Sequence, residues 1–472
     1  MSVFLKERYM LFSSIPFLYY FLPIVLIVYF AVPKALKNVV LLISSLIFYG
    51  WGEPKYVFLM IATVALGYIF GLLIEKFRGK ALSKIFLVLS VLTSVAGLVY
   101  FKYADFFISN FNNITGLSLP FLRLALPIGI SFYTFQILSY SVDVYRGHTV
   151  AQKNIINLAT YVALFPQLIA GPIVRYTDVE KQLNKRTHSF EKASEGITRF
   201  IVGLSKKILI ANTLGELGES FLQSADLSVM YYWLVAFAYM LQIYFDFSGY
   251  SDMAIGLGKL LGFDFMENFN YPFISKSITE FWRRWHISLG SWFRDYVYIP
   301  MGGNRVGRLR GLFNIFTVWI LTGFWHGAQW NFIVWGLYFG VLLTLEKFFY
   351  LKYLEKHNVI GHIYVLFFVS ISFMIFNAGN LRLAQEYVKG MFGLNGVSFI
   401  SAEFVYEIKN YAFILVAGVI GATPVPKLLA EKIIPDNNFR AVAETTFVAL
   451  LLIISTAFLA DGSFNPFLYF RF

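Results

Sequence analysis

Phe281-Trp282-Arg283-Arg284-Trp285-His286-Ile287-Ser288 opens a run that continues through Trp292-Phe293-Arg294-Asp295-Tyr296 and Ile299-Pro300-Met301-Gly302-Gly303-Asn304-Arg305. It then climbs an apolar segment and closes at Leu321-Thr322-Gly323-Phe324-Trp325-His326-Gly327. From Lys276 to Arg310 the charges are Lys276, Arg283, Arg284, Arg294, Arg305, Arg308 and Arg310 against Glu280 and Asp295 alone. This is a cationic, aromatic-rich patch inside a chain that is otherwise mostly apolar. His326 follows in apolar surroundings, where an ionisable side chain is expensive and a functional reading becomes the default.

The 472 residues are 58% hydrophobic, 19% aromatic and only 14% charged. A soluble domain carries about 45–50% apolar and about 25% charged residues, so the chain reads as a polytopic all-α membrane protein. Repeated spans with short loops argue for one integral-membrane domain over 1–472, with a motif core at about 244–340. The net charge of +12 is spread through short loops, which suits cytoplasmic loops and anionic headgroups rather than nucleic acid. Cysteine is absent, which excludes disulfides, cysteine-ligated metals and a cysteine acyl-thioester. The first apolar run lacks the short core and cleavage site of a signal peptide and is expected to stay as a span.

Apolar runs near 15–32, 38–52, 56–75 and 83–101 are long enough to span, at roughly 17–25 residues each. The basic loop Glu75 to Lys80 belongs in the cytoplasm by the positive-inside rule. Alternation then puts Lys34 and Lys37 there too, the N-terminus outside, and Asp105 to Ser118 in an external loop. Leu126 to Phe135 interrupts an apolar run with Pro, Gly, Ser and Thr, which predicts a broken or tightly packed helix. A span is expected at 155–171, an exposed polar loop at Thr177 to Glu195, and an interfacial or half-buried helix at Gly196 to Leu222. Spans near 229–247 and 252–263 meet at a joint, Tyr244 to Asp252. Further spans follow near 312–325, 328–350, 360–377, 408–422 and 441–460, with a loop at Thr423-Pro424-Val425-Pro426 and a short aromatic tail from Asn465.

His326 has a bland reading, a buried histidine bonded to a neighbouring helix. Small residues beside it, Gly323 and Gly327, favour room for a substrate to approach the imidazole. An unperturbed histidine pKa of about 6.5 suits a base that activates a hydroxyl near neutral pH. His286 lies among arginines and tryptophans, and taken alone reads as a residue of the interfacial belt. Arg283, Arg284 and Arg294 suit the phosphates of a nucleotide-containing donor, or equally membrane headgroups. Asp246 and Asp252 read first as packing residues, although Asp246 is near enough to a span end to reach a site. Gly302-Gly303-Asn304 is a turn, without the Lys of a phosphate loop. His148, His188, His357 and His362 lack metal-ligand spacing and read as structural; no metal site is expected.

These stretches resemble the membrane-bound O-acyltransferase superfamily, in its bacterial alginate O-acetyltransferase-like branch. The resemblance runs over Met10 to Trp51, Gly129 to Gly147, Phe165 to Tyr176, Tyr244 to Gly256, Tyr271 to Arg305, Leu321 to Gly340 and the aromatic tail. It implies a helical membrane fold with a central tunnel and short interfacial helices. His326 falls on the family's principal motif histidine and His286 on its second. Trp282, Arg283, Arg284, Arg294, Asp295, Trp325, Asp246 and Ser251 become candidates for binding the acyl donor or substrate. The resemblance further implies a multi-pass cell-membrane protein taking an acetyl group from cytosolic acetyl-CoA. An extracytoplasmic partner acetyltransferase of SGNH type would pass that group to a surface polysaccharide. The related teichoic-acid D-alanylation proteins use a carrier-protein thioester instead.

From another class, a transporter for an envelope intermediate suits the span count and the Pro/Gly-broken helices. It predicts inverted repeats and paired midplane charges, and neither is found in the sequence.

Overall fold

A computed structural model describes residues 10–434 and 438–461. The lead-in before Met10 and the aromatic tail lie outside the described residues. Helix follows helix throughout, and the one strand-like pairing among the described residues is an isolated bridge between Ser228 and Ser398. The chain is an all-α polytopic membrane protein. Among the described residues six helices are long and apolar enough to cross a bilayer: Lys34–Gly52, Tyr56–Lys76, Ala81–Thr115, Trp330–Lys356, Asn358–Asn377 and Phe439–Ala460. The pair Ala402–Asn410 and Ala412–Gly421, bent by 57°, makes a seventh if it counts as one span.

Contacts divide the chain into two compact units. One takes the chain up to Phe200 and returns for Met253–Met266; the other takes Ile201–Asp252 and the chain from Glu267 onward. In the first unit the Pro/Gly/Ser-interrupted run becomes a tightly packed helix, Ile130–Arg146, buried over most of its length. It starts where Gly129 turns left-handed (φ 74°), at a point where any Cβ would meet the Leu168 carbonyl oxygen at 2.6 Å. Ser141 on this helix hydrogen-bonds Ser90 at 2.8 Å.

Several expectations for this unit are corrected. The loop expected from Asp105 begins later, because Ala81–Thr115 is helical to its end. Asn110 and Thr115 turn their side chains back onto the helix's own carbonyls of Phe106 and Phe111, both at 2.7 Å. The span at 155–171 is instead two short helices, Ile155–Ala163 and Phe165–Leu168. Pro166 sits in the first turn of the second, where its missing N–H is not needed, and the Phe165 N–H is taken by Ser45 Oγ at 3.1 Å. The polar stretch 177–195 is mostly helical, as Tyr176–Asn184 and the start of Phe190–Ser205. Asp178 closes the first of these by accepting from the Arg175 N–H at 2.9 Å.

In the second unit the expected joint at Tyr244 to Asp252 is absent, and Val229–Leu260 is one helix. Its polar residues form a packing seam rather than a break. Asp246 meets Lys207 at 2.6 Å, with both side chains only 2% exposed, and Asp252 meets Lys206 at 2.7 Å. Between them Gly249 lets the backbones close, since a Cβ there would lie 2.6 Å from the Gly203 carbonyl oxygen. The stretch taken for one interfacial helix widens into a π-helical turn at Lys206–Ala211 before Asn212–Gln223, and it carries Lys207 inward. Thr423 to Pro426 leads directly into a further helix, Val425–Ile433.

The tightest packing in this unit joins Arg308–His326 to Trp330–Leu345. A Cβ on Gly323 would stand 2.2 Å from the Phe332 carbonyl oxygen, and one on Gly336 would stand 2.2 Å from that of Trp319. The space beside His326 read from Gly323 and Gly327 is therefore occupied by Phe332, whose ring would also meet a Gly327 Cβ at 2.1 Å. These glycines serve helix approach, as small residues do between membrane helices. Gly323→Ala should cost about 1–3 kcal/mol by overpacking, seen as a lowered melting temperature in detergent. Gly218→Ala, inside a helix and meeting nothing within 4 Å, should keep or slightly raise that temperature, because Ala is the better helix former by about 0.5–1 kcal/mol.

Candidate active site

Residues 267–300 leave regular helix repeatedly, and each departure is answered by a side chain. Ile278–Arg284 is capped by Ser277, whose Oγ accepts from the Glu280 N–H at 3.0 Å. A carboxylate from far along the chain, the buried Glu346, then accepts from the Ile278 and Thr279 N–H groups at 2.6 and 2.8 Å, and from Thr279 Oγ1 at 2.6 Å. At His286 the backbone swings to φ 44°, a left-handed conformation that costs a non-glycine residue of order 1–3 kcal/mol and clusters at functional sites. The next helix, Ile287–Phe293, begins against Asn268: its carbonyl accepts the Ile287 N–H at 3.0 Å and its Oδ1 the Ser288 N–H at 3.2 Å.

His286 is 2% exposed, which corrects its reading as a residue of the interfacial belt. Its Nδ1 lies 3.1 Å from Asn268 Oδ1, and the Phe247 ring stands nearly perpendicular to the imidazole at 4.7 Å. Burial pushes the imidazole pKa down to about 3, so it is neutral at physiological pH. The shift also links to stability: the unfolded chain binds a proton below about pH 6.5 that this buried ring refuses, so its contribution is lost as pH falls below that value. His326 ends the helix Arg308–His326 and is 7% exposed. The rings of Trp325, Trp335 and Phe376 stand 4.9, 5.2 and 5.1 Å from it. Trp325 neighbours both imidazoles, standing 6.1 Å from His286 as well.

Two cavities touch these histidines. His326, Ile243, Phe247, Trp335 and Phe376 line a void of about 20 Å³, room for little more than one water. A larger cavity of about 370 Å³ is lined by Trp282, Arg283, His286 and Arg294 with the hydroxyl residues Thr279, Ser291 and Thr322, within the usual range for small-molecule sites. Two buried nitrogens of its lining residues, Trp282 Nε1 and His286 Nε2, have no hydrogen-bond partner. Such groups are rare in native proteins, where buried polar atoms are nearly always bonded.

Of the other sequence candidates, Arg284 is held by Glu280 at 2.9 Å and by the Asn270 carbonyl at 3.2 Å, away from the cavity lining. Asp295 grips Arg294 through two bonds of 2.7 and 3.1 Å. Asp246 is in the buried pair with Lys207, and Ser251 Oγ accepts from Asn268 Nδ2 at 3.1 Å. His148, His188 and His362 bond Asp143, Tyr29 and the Ser275 carbonyl, and His357 packs on Tyr353. Among the described residues no group of three His, Cys, Asp or Glu is placed to hold a metal ion. Asn268 and Glu346 were not anticipated. A lone carboxylate ending an apolar run was the available signal for Glu346; Asn268, in an irregular stretch, offered none.

A sequence model of the membrane-bound O-acyltransferase family matches residues 55–381, a span that includes both histidines and the whole cavity. The chain belongs to this family. As a membrane-bound O-acyltransferase it is similar over nearly its full length to bacterial relatives. It is 40% identical to the probable alginate O-acetylase of Pseudomonas putida, over 98% of this chain and 100% of that one. It is 32% identical to the peptidoglycan O-acetyltransferase of Helicobacter pylori, over 99% and 98%. The teichoic acid D-alanyltransferase of Bacillus subtilis matches 49% of this chain and 60% of its own length, at 32% identity.

Removing Glu346 should loosen the segment that carries the arginines. Hydrogen bonds to a charged group contribute about 1.5–3 kcal/mol each. In Glu346→Ala, hydrogen–deuterium exchange over 276–286 should therefore speed up by roughly tenfold or more, since 1.4 kcal/mol is a factor of ten. Exchange in Tyr56–Lys76 should stay unchanged.

Proposed function

We propose that this acyltransferase moves an acetyl group from a cytosolic thioester, acetyl-CoA, for O-acetylation of a cell-surface polysaccharide. The observation that carries the reading is the pair of buried imidazoles that both neighbour Trp325, one of which lines a cavity with Arg283 and Arg294. The names of the full-length relatives, an alginate and a peptidoglycan O-acetylating enzyme, support the acetyl group and the glycan. An extracytoplasmic SGNH-type acetyltransferase is the proposed partner that receives the group before the glycan.

In this reading the arginines face the phosphates of the donor, and the thioester reaches the aromatic cage around His326. A hydroxyl oxygen attacks the thioester carbonyl, and His326 takes its proton. Collapse of the tetrahedral adduct breaks the carbon–sulfur bond, and His326 returns the proton to the departing thiolate. A ring whose pKa is about 3 accepts a proton too weakly to act as base near neutral pH, so proton transfer is assigned to His326 rather than His286. A D-alanyl donor on a carrier protein is the second reading. The Bacillus subtilis relative favours it, although that match covers only about half of this chain.

His326→Ala, present in the membrane at wild-type level, should reduce alkali-labile acetate in the cell-envelope polysaccharides by about 10²–10⁴-fold in rate, the usual contribution of a positioned base. Wild-type acetate in that variant removes His326 from the chemistry. Alkali-labile D-alanine falling in place of acetate would identify the second donor.

A further inference from the structure

The hydrogen bonds around His286 determine which of its nitrogens carries the proton. The Ser288 backbone N–H can only donate, and it points at Asn268 Oδ1 from 3.2 Å, so that atom is the carbonyl oxygen of the amide. The opposite end agrees, with Asn268 Nδ2 donating to Ser251 Oγ at 3.1 Å. Ser288 Oγ adds a second donated bond to Oδ1 at 2.8 Å, and its hydrogen is then not available to His286 Nδ1, 3.4 Å away. A carbonyl oxygen 3.1 Å from an imidazole nitrogen requires that nitrogen to be the donor, since two lone pairs would face each other otherwise. Nδ1 therefore holds the hydrogen, and in the neutral ring Nε2 is left with a lone pair and no proton. That Nε2 is buried and has no partner, on a residue lining the large cavity.

We propose that Asn268 is a positioning residue that holds His286 as its Nδ1–H tautomer, so that Nε2 receives a hydrogen bond from an O–H or N–H of the bound substrate. The proposal rests on the reading of His286 as part of the transfer site. It separates the two imidazoles by role. His326 moves the proton, whereas His286 anchors a donor group of the substrate and has no hydrogen on Nε2 to offer the carbonyl oxygen. Ser251 and Ser288 fix the amide that fixes the ring. That arrangement gives Ser251 a function at one remove from the substrate.

The test is the tautomer itself, read in full-length protein labelled with ¹⁵N and ¹³C histidine, in detergent near neutral pH. The His286 signal is identified by its loss in His286→Gln. A bare, pyridine-type Nε2 with a protonated Nδ1 is expected in the wild type; a protonated Nε2 overturns the proposal whether or not acetyl transfer is ever detected. Asn268→Leu should release the ring to the Nε2–H form and lower transfer by about 10–100-fold, the size of loss seen when an outer partner of a metal-ligating imidazole is deleted. Asn268→Asp, whose carboxylate accepts the same bonds, should restore both the Nδ1–H tautomer and most of the transfer. An unchanged tautomer in Asn268→Leu also overturns the proposal. Equilibrium binding of acetyl-CoA to Asn268→Leu identifies the donor group: weakened binding puts it on the acyl donor, and unchanged binding with lost transfer puts it on the acceptor. A tautomer that shifts while acetate transfer is absent even in the wild type would separate this inference from the assigned reaction, upholding the first and removing the second.

Discussion

A chain that leaves the helix inside an apolar protein must find partners for its own amide groups, because no water is at hand to take them. Residues 267–300 meet that demand with three side chains. Ser277 and Glu346 hold the first turn of Ile278–Arg284, and Asn268 holds the first turn of Ile287–Phe293. Each is buried. Because these caps are in place, two short helices can stand where one longer helix would otherwise run. The left-handed turn between them puts His286 at the junction.

The same demand accounts for where charge stands in this unit. Burying a charge without a partner is far more costly than burying a hydrogen-bonded dipole. Two of the deeply buried charges in this unit, Lys207 and Asp246, pair with each other, and a third, Glu346, accepts three hydrogen bonds. The imidazoles instead sit among indole and phenyl rings. Arg283 and Arg294 keep their charge where water can reach it.

The class of fold was legible because long apolar runs seldom arise except as helices that cross a bilayer, and most of the predicted spans lie within helices close to their expected bounds. The errors fell where polar residues interrupt such runs. Asp246, Ser251 and Asp252 read as a joint because their partners, Lys207, Asn268 and Lys206, are remote in sequence. At Leu164 a true break was missed, since its solution depends on a serine hydroxyl 120 positions earlier than Phe165. The motif histidines and cavity arginines were visible as residue types in a pattern. Their supports were not, because Glu346 acts across 68 positions and Asn268 across 20, and local periodicity carries no trace of either.

The backbone contact between Arg308–His326 and Trp330–Leu345 has a consequence for anyone who would redesign the enzyme. With carbonyl oxygens standing where the side chains of Gly323 and Gly336 would be, no side chain remains at that crossing to be trimmed or thickened. His326 and Trp335 are locked to a common frame, and substitutions there trade directly against the fold. Latitude for changing side-chain size is left to the hydroxyl-bearing wall of the larger cavity. On that wall the hydroxyls of Ser291 and Thr322 bond carbonyls of their own helices, whereas Thr279 is tied to Glu346.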